Sequence, residues 1–237
     1  SAGVGDDPER VATNRHRAVV RMGMDGGPGA VLVARQVHGR DVVVVDRRME
    51  QGGMGPGGWV LAGTGDALVT AETGQALAVL VADCAPILLA HKEGRAVAAV
   101  HAGWRGLASG VVDAAVQALC QAAGSSPADL EAWVGPCIRG CCYEVGPEVA
   151  EAVSRTIGPG SLAEGLPSYL RAGRGDRFWL DVAEAACQAL ARSGVAVNGA
   201  CWVDGRCTAC HPAAFFSYRR DGPRSGRMAG MIALMEG

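Results

Sequence analysis

The strongest constraint in this chain is the stretch from Ala76 to Trp104, ALAVLVADCAPILLAHKEGRAVAAVHAGW. Its apolar runs have strand length and are broken by polar or Gly-containing positions, so each reads as a strand buried in a core. Strands buried on both faces need apolar layers above and below them. The chain has the material for this, with 49% hydrophobic and 19% charged residues. Pro86 has no N–H to give to a ladder and fits only an edge, a bulge or a strand start. The runs end in Asp83-Cys84, in His91 and in His101. Whether those ends are ordinary turns or parts of a site is the question the rest of the sequence has to answer.

The flanking segments add helices to these strands. VLVARQVHGRDVVVVDRR predicts two strands broken by a turn at His38-Gly39, and DALVT a further strand. EQGGMGPGGWVLAGTGD is Gly-rich and polar and predicts a flexible loop. GLASGVVDAAVQALCQAAG reads as one helix, with Leu107, Val111, Ala115, Leu119 and Ala122 at helical spacing and a stop at Gly124. LEAWVGPCI and VAVNGACWV predict strands, PEVAEAVSRTI and LDVAEAACQALARSG predict helices, and the C-terminal tail ends as a strand. Neither an internal repeat nor an interdomain linker interrupts the 237 residues, which predicts a single domain over 1–237. Some adjacent strands are joined by turns too short for crossover helices, so the class is α/β (α+β) with mixed sheets.

Composition excludes several classes of function. A net charge of −2 gives no electrostatic case for binding nucleic acid or an anionic membrane. No apolar run approaches the length of a membrane span. The polar start SAGVGDDPERVATNR has no signal-peptide core, which predicts a cytosolic location. Nine cysteines, an odd number in such a chain, argue against a disulfide framework and predict mostly buried thiols.

Four groups of residues carry possible chemistry. His38, Cys84 and His101 suit a catalytic zinc site with a fourth position left open. Their separations of 46 and 17 positions match no short metal-finger pattern, and two turn histidines with a core thiol explain them as well. His91, beside Lys92 and Glu93, reads as an exposed surface position. Arg105 in HAGWRGLASG sits where a strand becomes a helix, suited either to an oxyanion or phosphate or to covering Trp104 in solvent. GPCIRGCCYEVG and CTACHPAAFFSYRRDG hold further thiols; a structural metal at Cys207 and Cys210 needs partners such as Cys137 or Cys141. Arg219, Arg220, Arg224 and Arg227 lie among glycines as in an anion-binding loop, or form a salt-bridged turn.

Taken in order, QVHG, VLVADCAPILL, AAVHAGWRGL, GPCIRGCCYEVG, FWLDV and CTACHPAAFFSYRRDGPRSGRMAG resemble the YfiH family, from about Arg35 to the C-terminus. Its members have been called laccase-like polyphenol oxidases, peptidoglycan editing factors and purine nucleoside phosphorylases. The resemblance implies a layered α/β/β/α sandwich with mixed β-sheets. It implies Zn²⁺ on His38, Cys84 and His101, with copper the less favoured metal. It further implies phosphorolysis of adenosine, inosine, guanosine and methylthioadenosine, with adenosine deamination as a second reaction. On that reading Arg105 binds phosphate, and Asp83 either orients a ligand imidazole or caps a turn. The competing readings are a Cys–His hydrolase acting on peptidoglycan precursors, with Cys84 as nucleophile and His101 as base, and a laccase-like oxidase. The Gly52–Gly65 loop departs from the family pattern in its length.

Overall fold

The computed structural model describes residues 5–24, 31–46, 59–158, 162, 165–196 and 200–235. It opens with helix α1 (Pro8–Arg21), which Asp7 caps by accepting the N–H groups of Glu9 and Arg10. Strands β1 (Val31–Arg35), β2 (Val42–Val45), β3 (Val60–Thr64), β4 (Ala67–Thr70), β5 (Ala76–Val81), β6 (Ala85–His91) and β7 (Val97–Ala102) follow. Next come α2 (Trp104–Ser109), α3 (Val111–Ala123), β8 (Leu130–Val134), β9 (Glu144–Val145), α4 (Pro147–Ile157), β10 (Leu170–Ala172), β11 (Phe178–Leu180) and α5 (Val182–Arg192). The described chain closes with β12 (Cys201–Val203), the single turn α6 (Tyr218–Asp221) and β13 (Met228–Ala233).

Two mixed sheets stack face to face. The smaller has the order β13-β5-β1-β3 and the larger β12-β8-β6-β7-β4-β2. Leu32, Leu77 and Val79 of the first meet Leu68, Val97 and Ala99 of the second in a buried layer. Each such side chain removed from water contributes about 1.5–3 kcal/mol. The outer face of the small sheet is covered by α1 through Val19, Val31, Trp59 and Ala76, with the Arg15 guanidinium 4.5 Å from the Trp59 ring. The outer face of the large sheet is covered by α2 to α5, with Val112, Val116, Leu119, Val153 and Leu190 among the buried residues. The order is therefore helix, sheet, sheet, helix, as the family resemblance implies. A small sheet, β10-β11-β9, stands beside the helical layer.

Pro86 is the second residue of β6, so the strand-start reading holds. Its ring fits because two of the positions closest to it, 135 and 230, are glycines. A Cβ at Gly135 would lie 2.8 Å from its Cγ, and one at Gly230 2.7 Å from its Cβ.

Three expectations need correction. Trp59 to Thr64 does not continue the Gly-rich loop; Val60–Thr64 is β3, because Val60 fills the gap between the sheets. The part of that loop before Trp59 lies outside the described residues. The long helix is two helices, since Gly110 adopts φ 83 between α2 and α3 and closes the first with left-handed geometry. His91 is not exposed. It ends a central strand, only 3% accessible, where the Glu93 N–H donates to Nδ1 and the Arg95 guanidinium folds over the ring.

Gly110→Ala would force an L-residue into the left-handed region, although nothing crowds its Cβ closer than 3.6 Å. We expect a loss of about 1–2 kcal/mol from backbone strain alone, measured by urea unfolding. A neutral result would show that the break between the helices does not depend on glycine.

Candidate metal centre

The chain passes between the two sheets three times at one end of the sandwich: from β1 to β2, from β3 to β4 and from β5 to β6. The first crossing carries His38, the second Asp66, and the third Asp83 and Cys84. His101 arrives at the same end on β7, which lies beside β4 and β6. The site is thus made where strands leave one sheet for the other.

Gln36 sets the entry to the first crossing. Its Nε2 donates to the Leu80 carbonyl and its Oε1 accepts the Leu80 N–H, both at 2.8 Å, so its side chain continues the pairing of β1 with β5. His38 then takes φ 60, a conformation that costs a non-glycine residue free energy. Asp66 offsets this cost. Its fully buried carboxylate accepts the N–H groups of Val37 (3.1 Å), His38 (2.9 Å) and Gly39 (2.7 Å). The same carboxylate lies 2.8 Å from Nδ1 of His101, while the Asp66 carbonyl accepts the His101 N–H at 2.7 Å.

With Nδ1 turned to Asp66, the other edge of the His101 ring faces the remaining groups. The ligand atoms of His38, Cys84 and His101 lie within 4.8 Å of one another, and the two rings meet edge to face with centroids 4.8 Å apart. Gly103 makes room for the thiol, since a Cβ there would lie 2.7 Å from the Cys84 Sγ. In the metal-free protein, burial pushes the Cys84 thiol up, but His101 and His38 outweigh it and bring its pKa down to about 7. Burial works against charge on His101 too, yet Asp66 and Cys84 raise it to about 9. For Asp66, burial opposes ionisation, while His101 and the three N–H donors hold its pKa below the ordinary carboxylate value. Its stabilising contribution is therefore present above that ordinary value and disappears as pH falls through the lower, folded one.

Two histidines and a cysteine with one position left free are a donor set that suits catalytic zinc. They line a cavity of about 730 Å³ together with Trp104, Arg105, Tyr143, Arg219 and Arg227. Arg105 is exposed, with its guanidinium 4.5 Å from the Trp104 ring, so it both covers the indole and faces the cavity. Of the other arginines singled out from the sequence, Arg219 and Arg227 line the cavity. Arg220 is instead spent on Asp221 and on the carbonyls of Thr208 and Phe215.

Asp83 does not orient an imidazole. It is buried at φ 90, and its oxygens accept the Thr208 hydroxyl (2.6 Å) and the Arg219 N–H (2.7 Å). It ties the C-terminal loops to the residue next to Cys84, and Asp66 holds the histidine. Sequence reasoning missed Asp66 because nothing in GTGDALVT marks one carboxylate out. The expectation of mostly buried thiols is met only in part: Cys137 and Cys207 are buried, Cys141 and Cys210 are exposed, the other five are half-buried, and all nine are free.

The family described as multi-copper polyphenol oxidoreductase laccase matches residues 1–235, so the match reaches the N-terminal segment that the motifs left uncovered. A purine nucleoside phosphorylase of Streptomyces coelicolor is 42% identical over 98% of this chain and 85% of its own length. The purine nucleoside phosphorylase YfiH of Escherichia coli is 34% identical over 98% of this chain and 84% of its own. The crystal structure of YlmD from Geobacillus stearothermophilus superposes with a TM-score of 0.87 at 33% identity, covering 100% of this chain and 84% of that one.

Asp66→Asn should cost about 2–4 kcal/mol of stability, because a buried acceptor of charge-assisted bonds is lost. It should also weaken metal binding about 10–100-fold by freeing the His101 ring, read by competition with a chromogenic chelator. In metal-free protein, alkylation of Cys84 followed by peptide mapping should rise with pH through about 7, against about 8.5 for an ordinary thiol. Loading with metal should suppress it.

Proposed function

This chain belongs to the family described as multi-copper polyphenol oxidoreductase laccase, and on that premise we propose that it is a zinc-dependent purine nucleoside phosphorylase with adenosine deamination as a second reaction. The observation that carries this reading is one cavity holding both a His–Cys–His donor set and three arginines. The names of the Streptomyces and Escherichia relatives support the same class. The substrates are adenosine, inosine, guanosine and methylthioadenosine, with inorganic phosphate.

The donor set argues for zinc over a copper cluster. A multicopper site needs many imidazoles, and only His38 and His101 meet here. His16 lies on α1, His91 is buried at the end of β6, and His211 bonds the Cys207 carbonyl. His38, Cys84 and His101 would hold zinc, which would supply a Lewis acid and a source of hydroxide near neutral pH.

The chain's own residues do the rest. Arg105, with Arg219 and Arg227 across the cavity, attracts and orients the phosphate dianion. A phosphate oxygen bonds to the anomeric carbon, the glycosidic C–N bond breaks with its electron pair going to the purine, and ribose 1-phosphate forms as the base takes up a proton. Trp104 and Tyr143 contribute flat walls. Asp66 fixes the His101 ring so that the ring need not reorganise during the reaction.

One observation favours a second reading. Cys84, His101 and Asp66 stand in the order of a nucleophile, a base and an orienting carboxylate, with the thiol pKa lowered to about 7. That arrangement suits a Cys–His hydrolase acting on an amide of a peptidoglycan precursor.

Adenosine and phosphate incubated with the protein should yield adenine and ribose 1-phosphate, together with inosine, and chelation should remove the activity. Cys84→Ala and His101→Ala should lose it as well. Arg105→Ala should raise the phosphate KM about 10–100-fold, the worth of one or two charge-assisted bonds. Amidase activity that survives chelation and is abolished by alkylating Cys84 would establish the hydrolase instead.

A further inference from the structure

A second group of soft ligands stands outside the cavity. Cys141 and Cys142 lie in the turn between β8 and β9, and Cys207 and Cys210 in the loop after β12, more than sixty positions later in the sequence. Their four sulfur atoms lie within 4.8 Å of one another. Cys210 Sγ is 3.5 Å from that of Cys141 and 3.3 Å from that of Cys142. We propose that Cys141, Cys142, Cys207 and Cys210 form a structural zinc site, separate from the His38–Cys84–His101 centre.

The distances suit a metal better than a sulfur–sulfur bond. A disulfide needs about 2.05 Å. Four thiolates each about 2.3 Å from a tetrahedral zinc stand about 3.8 Å apart, inside the spread observed. The four sulfurs make up this donor group without His211, the neighbour of Cys210, whose Nδ1 is 2.9 Å from the Cys207 carbonyl. Four thiolates leave no open position, which marks a structural site and not a catalytic one.

The site's place in the fold gives it a task. Tyr143, next to Cys142, lines the cavity. Thr208, next to Cys207, donates its N–H to the Cys137 carbonyl and its hydroxyl to Asp83, the neighbour of Cys84. Zinc here would fasten the two loops that form one wall of the cavity.

The test uses full-length Cys84→Ala protein, in which the first centre has lost its thiol. Purified without chelator and measured by plasma mass spectrometry, it should retain about one zinc per chain. Adding Cys141→Ser and Cys210→Ser should remove that zinc. In the unaltered protein, zinc should protect these four thiols from alkylation in peptide maps, and Co²⁺ in its place should give the strong charge-transfer absorption of several thiolates. Cys84→Ala protein without zinc, four thiols that react equally fast with and without zinc, or a disulfide among them in anaerobically purified protein would each overturn the proposal.

Discussion

One buried carboxylate holds this architecture together at its working end. Asp66 stands at the second of the three crossings at this end of the sandwich, and it binds the first through three N–H groups and β7 through His101. Taking an ion out of water is expensive, and only this number of donors makes its burial tolerable. The same bonds hold His38 in a backbone conformation it would otherwise avoid. Fold and site are thus not separable here: the group that joins the sheets also aims both imidazoles.

The two layers of the structure divide the labour. The interior between the sheets is built on apolar side chains such as Leu32, Leu68, Leu77 and Val79 and gives the end of the sandwich a rigid base. His38, Asp66, Asp83 and Cys84 stand just beyond the ends of the strands, in turns whose conformations are fixed by side-chain bonds, while His101 comes from β7 itself. Gln36, Asp66 and Asp83 are the fasteners, each bonded to backbone groups distant in sequence. A cavity walled by such turns keeps polar groups close together without exposing the core to water.

Much of this was legible in the sequence, because strand-length apolar runs leave few alternatives. The strands from β4 to β8 and helices α4 and α5 follow directly from pattern, and His38, Cys84 and His101 from motifs whose order is distinctive. What the pattern hid has a common cause. Asp66 is one of 24 acidic residues and acts through partners 27 to 35 positions away. His91 is followed in sequence by polar residues, so a linear reading placed it outside, yet it closes a central strand with the Arg95 side chain against its ring. Gly110 carried the local signal of a break, and strong helical spacing on both sides of it concealed the interruption. The thiols of GPCIRGCCYEVG and CTACHPAAFFSYRRDG meet only because β8 and β12 are parallel neighbours, which adjacency in the chain does not announce.

The ring of Pro86, one strand position beyond Cys84 and Ala85, has a consequence for how this protein can change over time. Its fit requires glycine both at 135, just after β8, and at 230 on β13, in different sheets. Neither glycine gains a side chain while the proline stays, and a larger ring substitute at 86 would find no room unless both gave way together. Three positions scattered over the sequence are therefore sterically bound to one another, and a change at one of them calls for a change at the others.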